Sequence, residues 1–164
     1  MIELWDLYDE NKNLTGKTHE RGTWIKDGYY HLVVHVWIKN SDGKYLISRR
    51  DKSRKAYPLM LECPGGSVLA GETSLEGAIR ETIEEVGIDL TNVQGRIIHT
   101  EKRESFHDYF DAWLFNYDGE VDLTKATTDE VCEVMWMTKE EIKASFERSE
   151  FVPTLKYILE IGDE

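Results

Sequence analysis

The sequence predicts an α/β fold in which helices cover a mixed sheet, and three observations support it. Runs rich in β-branched and aromatic side chains fill much of the N-terminal third. A central segment carries both the start and the stop signals of a helix. Strand-like runs and helical segments then follow one another to the C-terminus, as expected of a sheet packed against helices.

Strands are expected at Leu4 to Tyr8, Tyr30 to Ile38 and Lys44 to Ser48. Asp9 to Gly16 reads as a turn after the first of these. Asn40-Ser41-Asp42-Gly43 reads as a hairpin loop, because Asp-Gly tolerates positive φ. Thr73 is a natural N-cap, Glu76 completes a capping box, and Gly87 supplies the stop, so a helix runs between them. Leu75, Ile79, Thr82, Ile83 and Val86 recur at helical spacing and predict its buried stripe. Further strands are expected near Arg96 to Thr100, Tyr109 to Phe115 and Val131 to Met137. Thr138 and Glu141 form a second capping box, opening a helix near Lys139, and a last helix is expected from Pro153 to Ile161.

Residues 1–164 are expected to form a single domain, since neither a linker nor a repeat interrupts them. Met1 to Lys26 read as an N-terminal extension, packed on that domain or pairing two copies in a homodimer. Twenty Lys and Arg against 32 Asp and Glu give a net charge of −12, which disfavours binding to polymeric nucleic acid. Cys63 and Cys132 make no C-x-x-C pair and no disulfide framework, which fits a reducing, cytoplasmic setting. The N-terminus lacks the pattern of a signal peptide. The most apolar run, Leu32 to Ile38, is too short to span a bilayer, so no membrane role is expected.

The chemistry concentrates between Pro64 and Gly87. Pro64-Gly65-Gly66-Ser67-Val68-Leu69-Ala70-Gly71-Glu72 is a glycine-rich loop feeding a helix, and such a loop lets backbone groups approach a ligand closely. On the helix, Glu81, Glu84 and Glu85 fall within an arc of roughly 100°, expected to lie opposite the apolar stripe. Like charges so placed repel one another unless a cation sits among them. Clustered hard oxygen ligands suit Mg²⁺ or Mn²⁺, although a run of Glu on a helix is also an ordinary solvated face.

This segment resembles the Nudix box, G-x5-E-x7-R-E-U-x-E-E-x-G-U, where U is aliphatic. Gly66, Glu72, Arg80, Glu81, Glu84, Glu85, Gly87 and Ile88 fall in register, and Thr82 at the first U is the sole departure. The resemblance implies a Nudix α/β/α sandwich with a mixed central sheet, and hydrolysis of a diphosphate linkage in a small molecule. It implies that Glu81, Glu84, Glu85 and the carbonyl of Gly66 bind Mg²⁺ or Mn²⁺. Arg80 would steer a carboxylate, and Glu72 would hold the loop against the helix, by hydrogen bonds or by an ion pair with Arg80. In such enzymes the general base often lies outside the box, and Glu130 and Glu104 are the candidates. Cys63 is read as a small buried hydrophobe rather than a nucleophile.

Arg49 to Lys55 hold five cations in seven residues, and Arg50 is the first choice for contacting substrate phosphates. Trp24, Tyr57, Phe106, Tyr109 and Trp136 are candidates for stacking a base. The first half also resembles isopentenyl diphosphate isomerase, a Nudix-fold enzyme, at Thr15-Gly16, Tyr30-His31-Leu32, Arg49-Arg50 and Lys55-Ala56-Tyr57-Pro58. The isomerase's catalytic cysteine and one metal-binding histidine are replaced here by Gly65 and Ser67, and an earlier ligand histidine by Trp24. The reading is therefore a hydrolase of the isomerase-like branch acting on a nucleoside diphosphate-linked or similar molecule. An isomerase, or a non-catalytic nucleotide-sensing module, is the alternative.

Overall fold

The computed structural model describes residues 2–162. Strands β1 (Leu4–Tyr8) and β2 (Leu14–Glu20) pair antiparallel as a separate hairpin. The turn between them is shorter than the sequence predicts. Asp9 accepts hydrogen bonds from the amides of Asn11 and Asn13 through its carboxylate, and the chain extends again at Leu14. Strand β2 went unseen because most of its side chains face solvent, leaving no apolar alternation to read.

The main sheet contains β3 (His31–Lys39), β4 (Tyr45–Arg50), β5 (Leu61–Glu62) and β6 (Gly65–Ser67). After helix α1 (Ser74–Val86) it adds β7 (Gly95–Arg103), β8 (Asp108–Asn116) and β9 (Val131–Met137). Helix α2 (Lys139–Glu147) and a 3-10 helix (Pro153–Glu160), where the sequence predicted a helix to Ile161, complete the chain. The sheet order is β5-β4-β3-β8-β7; β3 and β8 are parallel and the other pairings antiparallel, so the sheet is mixed.

Beyond the Lys39–Tyr45 pair beside their turn, β3 and β4 separate. Strand β6 takes the vacated edge of β3, opposite Val33, Val34 and His35, while β9 pairs with β4. This split inserts the glycine-rich segment into the sheet. A side chain at Gly65 would meet the Val34 carbonyl oxygen at 2.3 Å, so only glycine permits that pairing distance.

The period of two along each strand sorts side chains into two layers. Leu32, Val34, Val36 and Ile38 of β3 join Ala78 and Val86 of α1 in one core. Trp37 and Ile47 join Ile142 of α2 with Leu155 and Ile158 of the 3-10 helix in the other. The sheet is thus sandwiched between helical layers.

Both predicted capping boxes form, at Thr73/Glu76 and at Thr138/Glu141. Gly87 ends α1 with φ 73°, which glycine tolerates without a Cβ penalty. The buried stripe of α1 is rotated from its predicted position. Gly77, Ala78, Thr82, Glu85 and Val86 are buried, Ile79 and Ile83 are half-buried, and Leu75 is exposed. Thr82 donates its hydroxyl hydrogen to the Ala78 carbonyl at 2.7 Å, so the residue departing from the box pattern packs without an unmet polar group.

The N-terminal hairpin lies against the sheet. Tyr8 and Tyr30 exchange backbone hydrogen bonds at 2.8 and 3.0 Å, and Trp5 and Leu7 cluster with Ile25. No helix among the described residues is long and apolar enough to cross a membrane.

Candidate active site

A cavity of about 600 Å³ opens where β6 meets α1. Gly65, Gly66 and Ser67 border it from the strand, and Arg80, Glu81, Glu84 and Glu85 from the helix. Arg54 and Glu130 close one side.

Arg80 organises the helix face. Its Nε and Nη2 donate to the two carboxylate oxygens of Glu72 at 2.8 and 3.0 Å, and Nη2 also reaches the Ser67 carbonyl at 3.0 Å. Glu72 in turn accepts the Leu69 amide at 2.8 Å, so this pair ties the loop to the helix. Arg80 Nη1 donates to Glu81 at 2.9 Å and to Glu84 at 3.1 Å. Burial opposes the charge of Arg80, but Glu72 and Glu81 more than offset it and raise its pKa.

The carboxylates run from solvent to core: the Glu84 side chain is 36% exposed and that of Glu81 12%, while Glu85 as a residue is 3% exposed. The sequence placed all three opposite the apolar stripe, yet Glu85 lies on the buried face itself. Its Oε2 is buried without a hydrogen-bond partner. An ionised carboxylate left so is costly, and burial pushes its pKa well above the usual range, helped by the charges of Glu62, Glu81 and Glu130. Burial likewise raises Glu81 to about 7 against the pull of Arg80.

Gly66 faces Glu81 directly. A Cβ there would lie 2.5 Å from the Glu81 Cδ and Oε1, so this position must be glycine for the carboxylate to sit where it does. Among the described residues no three His, Cys, Asp or Glu side chains already converge on one cation position, and Arg80 is bonded to Glu81 and Glu84. The donor set nonetheless fits a hard divalent ion, because all of its atoms are carboxylate or carbonyl oxygens and one buried oxygen lacks any partner.

Glu130 is brought to the cavity by the backbone. The Glu84 carbonyl accepts the amides of Thr127 and Thr128 at 3.0 and 3.1 Å, and the Asp51 amide donates to the Glu130 carbonyl at 2.9 Å. Arg54 Nη1 lies 3.3 Å from the Glu130 carboxylate, an ion pair without hydrogen-bond geometry.

Other sequence candidates lie elsewhere. Glu104 accepts from Tyr30 at 2.7 Å, pairs with Lys102 at 3.1 Å, and does not border the cavity. Arg50 instead pairs with Glu62 of β5 at 2.7 Å and donates to the Ala56 carbonyl; of the Arg49–Lys55 cations it is Arg54 that borders the cavity. Trp24, Tyr57, Phe106, Tyr109 and Trp136 do not border it either. Cys63 is buried, and burial raises its thiol pKa well above the usual value, which leaves it protonated and unreactive.

One part of the lining was not legible in the sequence: Ile2, Glu3, Leu4 and Arg21 border the same cavity. A lone arginine and a few apolar residues ahead of the main strand run carry no local signal of such a role.

The NUDIX domain family matches residues 29–155. An uncharacterised Nudix hydrolase of Listeria innocua is 41% identical over 156 residues, covering 93% of this chain and 89% of that protein. The fold matches that of DR0079 from Deinococcus radiodurans with a TM-score of 0.75, at 22% identity and 92% coverage of both chains. An isopentenyl-diphosphate Delta-isomerase of Citrobacter koseri is 31% identical over only 88 residues, 53% of this chain and 49% of that enzyme, so the isomerase likeness is partial. With Gly66, Arg80, Glu81, Glu84 and Glu85 of the box gathered on one cavity and the match spanning most of the sequence, the chain belongs to the Nudix hydrolases, enzymes that act on phosphorus-containing acid anhydrides.

Proposed function

We propose that the protein hydrolyses the diphosphate linkage of a nucleoside diphosphate-linked or similar small molecule, with Glu81, Glu84, Glu85 and the Gly66 carbonyl holding Mg²⁺ or Mn²⁺. The observation that carries this reading is the buried, unpartnered Oε2 of Glu85 beside Glu81 and Glu84 at one cavity. A bound divalent ion would neutralise phosphate oxygens and acidify a water molecule, which removes any need for a covalent nucleophile. The protein's own groups do the rest. To hold the ion, Glu81 and Glu84 would give up their bonds to Arg80 Nη1, while the Nε and Nη2 bonds to Glu72 would remain to keep the loop in place. Arg54, charge-paired but not hydrogen-bonded to Glu130, has donors left for a phosphate oxygen. Glu130 is the base candidate with access to the cavity.

Isomerisation is disfavoured, because Gly65 and Ser67 beside the cavity offer neither a thiol nor an imidazole. A sensing role is disfavoured because every box carboxylate is present. A cytoplasmic setting belongs to the same reading, supported by two free cysteines.

The test is a panel of nucleoside di- and triphosphates, ADP-ribose, dinucleoside polyphosphates, sugar nucleotides and isopentenyl diphosphate, assayed with Mg²⁺ or Mn²⁺. Metal-dependent cleavage by the wild type that Glu84→Gln loses is the expected result. Saturable binding without cleavage of any member would support a sensor instead, and a shifted double bond without hydrolysis would support an isomerase.

A further inference from the structure

The cavity extends beyond the residues that define the family. Ile2, Glu3, Leu4 and Arg21 border it, yet all precede the family match at residues 29–155. The backbone fixes this wall to the catalytic loop: the Ala70 amide donates to the Leu4 carbonyl at 2.8 Å, and the Gly71 amide to the Asp6 carboxylate at 2.8 Å. Trp5 stacks on His31 at 3.9 Å with the rings 10° from parallel, anchoring the hairpin to the start of β3.

The lip so held has a distinct chemistry. Ile2 and Leu4 are 65% and 43% exposed, apolar side chains left open at the edge of a concave site. Arg21 Nη1 donates to both oxygens of Glu3 at 3.1 Å, and Glu3 is itself fixed by the Trp5 indole at 2.9 Å. Glu3 thereby neutralises Arg21, so the lip carries no net charge with which to compete for phosphate. What it presents is apolar surface and the flat, weakly hydrated face of a guanidinium held in place, a combination that packs well on a ring. Arg54, Arg80 and the glutamates, which line the same cavity, are the groups suited to phosphate and cation. Cavities of roughly 300–1,000 Å³ take ligands larger than a diphosphate alone, and this one, at about 600 Å³, has room for an organic group as well.

We propose that Ile2, Leu4 and Arg21 form the subsite for the organic group carried on the diphosphate, and that the group it takes is a flat, neutral ring such as a nucleobase. This rests on the hydrolase reading above and adds the element that selects the substrate. It also means that specificity is supplied from outside the family domain.

The experiment measures kcat and KM with Mg²⁺ for ADP-ribose, isopentenyl diphosphate and inorganic diphosphate, in wild type, Leu4→Asp, Arg21→Ala and the control Leu14→Ser. Leu14 is 63% exposed on the same hairpin and does not border the cavity. Leu4→Asp and Arg21→Ala are each expected to raise KM for ADP-ribose by about tenfold at near-constant kcat, the signature of lost uniform binding. Their KM for inorganic diphosphate should move by less than about twofold, and Leu14→Ser should change neither. Parallel increases for ADP-ribose and inorganic diphosphate, or none for either, would overturn the subsite. A lip-dependent KM confined to isopentenyl diphosphate would overturn the flat-ring assignment. If the wild type cleaves neither these three nor any member of the panel above, the hydrolase reading fails; calorimetric binding of methylene-bridged ADP-ribose then decides the subsite alone, through about tenfold weaker binding to both variants or unchanged binding.

Discussion

Gly66 and Glu81 occupy one another's space: a Cβ on the glycine would fall 2.5 Å from the carboxylate carbon. Gly66→Ala must therefore displace Glu81 or the strand. Misplacing one reacting group by about 1 Å can cost about 100-fold in rate, and a loss of that order in kcat/KM is expected. Near-wild-type kinetics in Gly66→Ala would show that Glu81 moves aside freely.

The Arg80–Glu72 pair uses two guanidinium nitrogens on two carboxylate oxygens, and a third bond reaches Ser67. Lysine is a point charge and cannot reproduce that fork. Arg80→Lys is expected to lower stability by about 1–3 kcal/mol, read from the urea midpoint at unchanged m-value, and to weaken activity. An unchanged midpoint would mean that a single charge suffices there.

Burial and neighbouring carboxylates leave Glu81 and Glu85 holding protons at pH values where ordinary glutamates are ionised. A cation binds the ionised form, so uptake of Mg²⁺ at pH 6.5 should release about one proton or more per ion. Titration calorimetry in buffers of different ionisation enthalpy measures this directly. Identical apparent enthalpies in every buffer would mean that these carboxylates are already ionised.

Glu130 and Glu104 were equal candidates in the sequence, but only Glu130 borders the cavity. Glu130→Gln is expected to lower kcat by about 100-fold, as for loss of a general base, with a small change in KM. Glu104→Gln should stay close to wild type in activity. Reversal of that order would remove Glu130 from the chemistry.

His35 is buried, with its Nδ1 2.8 Å from the Tyr157 hydroxyl. Burial, then the charge of Arg103, lowers its pKa from 6.5 to about 3. Below the unfolded value the denatured chain takes up a proton that the folded chain refuses, so this contribution is complete above about pH 6.5 and is lost progressively toward pH 3. Glu81, with its folded value raised to about 7, acts in the opposite sense and gains stability as pH falls below 7. The readout is therefore the difference between wild type and His35→Gln, expected to narrow by about 2 kcal/mol from pH 6.5 to pH 5. A difference constant with pH would show that His35 titrates normally in the folded state.

The box, the caps and the strand runs were legible in the sequence because each is a local signal. Thr73 caps through a residue three positions away, and Gly66, Glu72 and Arg80 are recognisable by spacing along one stretch of chain. Tertiary structure decided what depends on register and packing. A strand's side chains alternate between its two faces, so which of Arg50 and Arg54 reached the cavity rested on how β4 paired and where the chain turned after it. Helical spacing put Glu81, Glu84 and Glu85 together, but only packing against the sheet buried Glu85 and left its Oε2 without a partner. The N-terminal hairpin is the strongest case. Nothing in residues 2–21 specifies a role at a site more than forty residues further along the chain, and it gains that place only because Leu4 and Asp6 accept hydrogen bonds from Ala70 and Gly71 once the sheet has formed.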